Sequence, residues 1–143
     1  MFKTVLLPID LSDPYSWTKA LPAALHICDD ETGMLHVLTV VPDLGTTVIG
    51  KFFEPGFKQR ALHNVGTEIG DWVKEHIPDG VNAQSHVMLG RVYEEIVSAA
   101  NQLDVDAIVM GSHSPDLTDY LLGPNAARVV RYAKQSVFVI RGE

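Results

Sequence analysis

The chain has 143 residues, 46% hydrophobic and 20% charged, a size and balance that fit one packed domain over residues 1–143 and exclude a disordered or fibrous protein. A net charge of −7 with no basic run argues against a nucleic-acid partner, because that affinity comes from Lys and Arg neutralising phosphates; a helix start can still serve one small phosphorylated ligand. The N-terminal apolar stretch, broken by Pro8 and closed by Asp10, is too short for a leader or a membrane span, and the single Cys28 suits a reducing compartment, so a cytoplasmic protein is expected.

Taken in chain order, residues 2–9 read as a strand, since the run from Val5 to Ile9 has the near-continuous apolarity of a strand covered on both faces. Asp13 is then a good N-cap and Pro14 a good first helical residue, after which Trp17, Ala20, Leu21, Ala24, Leu25 and Cys28 recur at helical spacing. Gly33 closes the unit ahead of a second strand, 34–41. The connection 42–56 is long and apolar, either a lid or a partner surface. A second helix carries Ala61, Leu62, Val65, Ile69, Trp72 and Val73 and stops at Pro78 and Gly80. Residues 82–89 form a third strand and Gly90 a turn, and Val92, Ile96, Val97, Ala100 and Leu103 make a third helical face. Residues 106–110 are a fourth strand, 124–134 a last helix and 137–140 a fifth strand. This alternation predicts a doubly wound α/β fold, an open five-stranded parallel sheet with helices on both faces in a Rossmann-like arrangement.

In such sheets ligands collect beyond the carboxyl ends of the strands, where the strand order reverses. The strand ends here are Pro8-Ile9-Asp10, Thr39-Val40-Val41, Leu89-Gly90 and Met110-Gly111. After Met110 the chain reads GSHSPDLTDYLLGPNA, with Gly111 and Gly123 bracketing a loop that returns to a helix start. That is either a phosphate cradle or a pair of ordinary turn glycines. It is not a Walker A sequence, because no Lys-Ser or Lys-Thr follows the second glycine.

Asp10 is a candidate for ligand contact, with a structural hydrogen-bonding role as its alternative; Asp13 is explained as a cap. Among six histidines there is no zinc-type spacing. His113 lies in the glycine loop, where it either hydrogen-bonds phosphate or faces solvent. Ser112 and Ser114 lack a nucleophile elbow, Trp17 and Trp72 sit on core-facing helical positions, and Arg91 either approaches a phosphate from the loop after the third strand or, more simply, is a solvated helix-start residue. The last strand, at a sheet edge, would leave backbone groups unpaired unless a twin chain covered residues 136–141.

Together KTVLLPIDLS, LHVLTVVP, GRVYEEIVSAA, DAIVMGSHS and LLGPNAARVVRYAKQSVFVIR resemble, in order and spacing, the universal stress protein family, and most of all its ATP-binding F/G-type subgroup. The resemblance covers essentially the whole chain. It implies an adenine nucleotide alpha hydrolase-like fold and a site for ATP or AMP, with or without Mg2+, in a stress-response regulator that acts through a homodimer or another protein partner. It implies Pro8 and Ile9 lining the base, Asp10 on the ribose, Val40 against adenine, Met110 and Gly111 along the ribose side, and His113, Ser114, Gly123, Pro124 and Asn125 around the phosphates. The family pattern Gly-x-x-Gly, spacer, Gly-Ser/Thr is matched in part: Ser114 replaces its second glycine, the spacer is shorter by a residue, and Pro124 replaces the hydroxyl residue. Proline offers phosphate neither an N–H nor a hydroxyl, and Asn125 is the nearest substitute donor. A slow ATPase or self-phosphorylating enzyme at the same site, and an interaction module that has lost nucleotide binding, are the rival readings.

Overall fold

The structure, a computed structural model, describes residues 2–42, 56–112 and 124–142. Its strands are β1 (Thr4–Pro8), β2 (Met34–Pro42), β3 (Ala83–Gly90), β4 (Ala107–Gly111) and β5 (Ser136–Ile140). Between them run α1 (Ala20–Ile27), α2 (Phe57–His76), α3 (Val92–Gln102) and α4 (Pro124–Tyr132), with a 3-10 turn at Pro14–Ser16. All pairings are parallel and the order is β3-β2-β1-β4-β5. The expected five-stranded doubly wound sheet is therefore what the chain forms.

The period-two alternation of the strands sorts the core into two layers. Val5 and Leu7 of β1, with Leu35, Val37 and Val109, meet Ala20, Leu21 and Ala24 of α1 and Ile69 and Trp72 of α2. Leu6, Leu38, Ile108 and Met110 point the other way, onto Ile96, Ala99 and Ala100 of α3 and Ala126 and Val129 of α4. Val5, Leu6 and Leu7 are fully buried, which is why β1 is continuously apolar after Thr4 rather than at every second position. The exposed Asp106 anchors its start: the amides of Lys3 and Thr4 both donate to Oδ2, each at 3.1 Å.

The first helix differs from expectation. Asp13 does act as a cap, accepting from the Tyr15 amide at 3.1 Å, but it caps the 3-10 turn, and α1 begins only at Ala20. The hydroxyls of Ser16 and Thr18 bond the carbonyls of Asp13 and Pro14 at 2.8 and 2.7 Å, which favours the tight turn before the helix proper starts. Trp17 then lies edge-on to Trp72, ring centroids 5.6 Å apart, and Trp72 stacks on His76 at 4.6 Å, so both tryptophans serve packing of the segment ahead of α1 against α2. No helix among the described residues is long and apolar enough to cross a membrane.

Candidate functional site

With β2 and β3 on one side of β1 and β4 and β5 on the other, the strand order reverses at β1, and a crevice opens beyond the carboxyl ends of β1 and β4. A cavity of about 480 Å³ occupies it. Pro8, Ile9 and Asp10 line it from the end of β1, Leu38, Val40 and Pro42 from β2, and Met110, Gly111 and Ser112 from β4. The first turns of α3 and α4 close it with Val92 and Ile96, and with Pro124, Asn125 and Ala126.

Eight positions singled out from sequence, Pro8, Ile9, Asp10, Val40, Met110, Gly111, Pro124 and Asn125, thus surround one cavity. His113, Ser114 and Gly123 lie outside the described residues, as does the 43–55 part of the long connection. Arg91 is not part of the wall; its guanidinium reaches Glu94 at 3.4 Å on the exposed side of α3.

The loop after β1 is fixed by its own short polar side chains. The Asp10 amide donates to Ser16 Oγ at 2.8 Å, and Asp10 Oδ1 accepts from the Ser12 amide at 3.0 Å and the Ser12 hydroxyl at 2.7 Å. Asp10 Oδ2 has no donor among the described residues, which leaves one oxygen of an oriented, exposed carboxylate for a ligand hydroxyl. Ser12, Asp13 and Ser16 also line the cavity, and sequence reading passed over them as ligand neighbours. The signal was there, since they follow the end of the first strand, where such folds place their ligands.

Glycine at 111 has a specific cause. A Cβ there would stand 3.0 Å from the Ser16 carbonyl oxygen and 3.2 Å from that of Tyr15, so any side chain at 111 would press on the backbone of the 3-10 turn that closes over the end of β4. The residue is needed for close approach rather than for a left-handed backbone, which among the described glycines occurs at Gly56, Gly80 and Gly90.

Pro124 is the first residue of α4, the position at which proline costs a helix nothing. Its neighbours Asn125 and Ala126 present that helix start to the cavity. The residues present fit an adenine nucleotide in three respects: an apolar wall of Ile9, Leu38, Val40 and Ile96 for a base, a free carboxylate oxygen for a ribose hydroxyl, and a helix start with an amide side chain for an anion. No cluster of three metal-ligating side chains occurs among the described residues.

Comparison with known proteins agrees with this geometry. The profile described as the universal stress protein family matches residues 1–141. The chain belongs to that family. Among curated relatives, universal stress protein G of Salmonella typhimurium is 30% identical over 143 residues, covering 99% of this chain and all of that one. Among solved structures, the MJ0577 protein of Methanocaldococcus jannaschii superposes with a TM-score of 0.75 at 25% identity, over 99% of this chain and 96% of that one. A universal stress protein crystallised in complex with cAMP does so with a TM-score of 0.68 at 20% identity, over 99% and 98% of the two chains. This universal stress protein therefore has the Rossmann-like, adenine nucleotide alpha hydrolase-like fold, and its cavity lies at the topological switch point of that fold.

Proposed function

We propose that this universal stress protein is an adenine-nucleotide-binding regulator whose ligand occupies the cavity beyond β1 and β4. One observation carries the reading: residues from three strand ends and two helix starts converge on a single crevice with an apolar floor and a free Asp10 oxygen. In this reading adenine packs against Val40 and Ile9 beside Pro8, and the ribose hydroxyls bond Asp10. Met110 and Gly111 follow the sugar, and the phosphate lies towards Asn125 at the start of α4, with His113, Ser114 and Gly123 completing that end. The cAMP complex of a structural neighbour supports the choice of adenine.

Regulation then works through surfaces that nucleotide occupancy alters, namely a homodimer formed along the β5 edge or a separate protein partner. The rival reading, an interaction module without a ligand, draws on Pro124, which removes one N–H from the anion end of the site. Calorimetric titration with adenosine, cAMP, AMP and ATP separates them. Saturable binding of any of the four, lost on Val40→Trp in a protein that still folds, is the expected result; absence of heat with all four at millimolar concentration contradicts it.

A further inference from the structure

We propose that Tyr15 and Gly142 are positioning residues of the crevice: the Tyr15 ring, seated on the backbone that follows β5, holds the loop that presents Asp10. The proposal rests on the adenine reading above and adds how its ribose contact is aimed. A Cβ on Gly142 would stand 2.5 Å from Cε1 and 2.6 Å from Cδ1 of Tyr15, so the ring and the glycine backbone meet with no room for a side chain between them. Gly142 is not among the described glycines with a positive φ, and what its position requires is this close approach. Tyr15 itself is 37% exposed and belongs to neither core layer, so its ring packs here and not in the protein interior.

The contact reaches the site through the backbone of the turn. The Tyr15 amide donates to Asp13 Oδ1 at 3.1 Å, and the next residue, Ser16, carries the hydroxyl that accepts from the Asp10 amide and donates to the Asp13 carbonyl, both at 2.8 Å. Asp10, Ser12, Asp13 and Ser16 line the cavity and Tyr15 does not, so Tyr15 acts through its neighbours. Beneath the turn, the Tyr15 and Ser16 carbonyls lie close over Gly111 of β4, and the Ser112 amide donates to the Ile140 carbonyl at 2.9 Å, which ties the end of β4 to the end of β5. The turn therefore has two supports on one firm edge, Gly111 under its backbone and Gly142 under its ring. With Gly111 alone the short turn can pivot; the ring on Gly142 removes that freedom, and the Asp10 carboxylate keeps its place at the crevice. Hydrogen bonding to a ligand hydroxyl weakens steeply when its acceptor is displaced, which is why a support outside the wall matters.

Two measurements on the intact protein test this, each with Tyr15→Ala, Tyr15→Phe and Gly142→Val. Amide hydrogen exchange without ligand reads the loop itself: in Tyr15→Ala and Gly142→Val the Asp10 and Ser12 amides should exchange at least about fivefold faster than in the wild type, with the α2 amides unchanged. Tyr15→Phe keeps the ring and should match the wild type. Calorimetric titration with adenosine and 2′,3′-dideoxyadenosine reads the consequence. Tyr15→Ala and Gly142→Val should each lose about tenfold in adenosine affinity and keep that for the dideoxynucleoside within about twofold, because only adenosine carries the 2′ and 3′ hydroxyls. A loosening of the whole fold would weaken both ligands alike and speed exchange in α2, and that result overturns the proposal. So does unchanged exchange at Asp10 and Ser12, an unchanged adenosine affinity in both variants, or a Tyr15→Phe that behaves as Tyr15→Ala. A wild type that binds neither nucleoside overturns the adenine reading, and the exchange rates then decide alone whether Tyr15 and Gly142 hold the loop.

Discussion

Gly111 and Gly70 show how differently one residue type is used in this chain. At 111 an added Cβ would press on two backbone carbonyls of the Pro14–Ser16 turn, and neither can yield without moving the loop that carries Asp10. At 70, within α2, an added Cβ meets nothing within 4 Å. Gly111→Ala should therefore destabilise the fold by about 1–3 kcal/mol and weaken nucleotide binding as the Asp10 turn is displaced. Gly70→Ala should stabilise it by about 0.5–1 kcal/mol through helix propensity and leave binding unchanged. Chemical denaturation of the pair, followed by titration of each with AMP, checks both; a neutral Gly111→Ala would show that the turn adjusts freely. From sequence the glycine after a buried strand was visible, but its cause was not, because the turn that crowds it comes from residues nearly a hundred positions earlier.

At the scale of elements, β2 and β3 are joined by a histidine pair, one ring buried and the other half-buried, that the hydrophobic pattern did not announce. His36 and His86 lie on the α3 side of adjacent strands, His86 being in register with Leu38 two residues on from His36. His36 Nδ1 and His86 Nε2 are 2.8 Å apart, with ring centroids at 5.0 Å, so the rings meet nearly end to end and share one hydrogen. Burial lowers the pKa of both rings, and the neighbouring imidazole lowers that of His36 further.

A histidine whose folded pKa lies below its unfolded value of about 6.5 favours the folded state fully above that pH, and the advantage is lost as pH falls. The protein should therefore lose stability between pH 7.5 and pH 5, and His36→Leu with His86→Leu should flatten that part of the profile. Urea midpoints measured at intervals across this range decide it; an equally steep loss in the double variant would assign the effect to other groups. The same scale explains the shift of the first helix. Asp13-Pro14 has the signature of a helix start, and the cap does form, but the hydroxyls of Ser16 and Thr18 hold a tighter turn and delay α1 to Ala20.

For the molecule as a whole, the alternation of apolar strands with amphipathic helices made the parallel five-stranded sheet legible, because burial on both faces leaves a run such as Val5 to Ile9 few alternatives. The position of the cavity followed from that architecture, and the residues at the strand ends could be named before their geometry was known. The polar loop from Asp10 to Ser16 was less legible, since its hydrogen bonds depend on a tertiary turn rather than on spacing. The half-exposed edge strand β5, paired only with β4 among the described residues, is where a second chain would add. Sedimentation equilibrium at micromolar concentration should give a dimer, and Val139→Pro, which breaks an edge ladder, should give a monomer; a monomeric wild type would contradict that assembly.

The central claim, that an adenine nucleotide occupies the crevice at the reversal of strand order, is tested most directly by amide chemical-shift mapping of the isotopically labelled protein titrated with AMP. Saturable shifts are expected at Ile9, Asp10, Val40, Gly111, Asn125 and Ala126, with the amides of α2 unmoved. Shifts absent at millimolar AMP, or gathered away from the ends of β1 and β4, would contradict it.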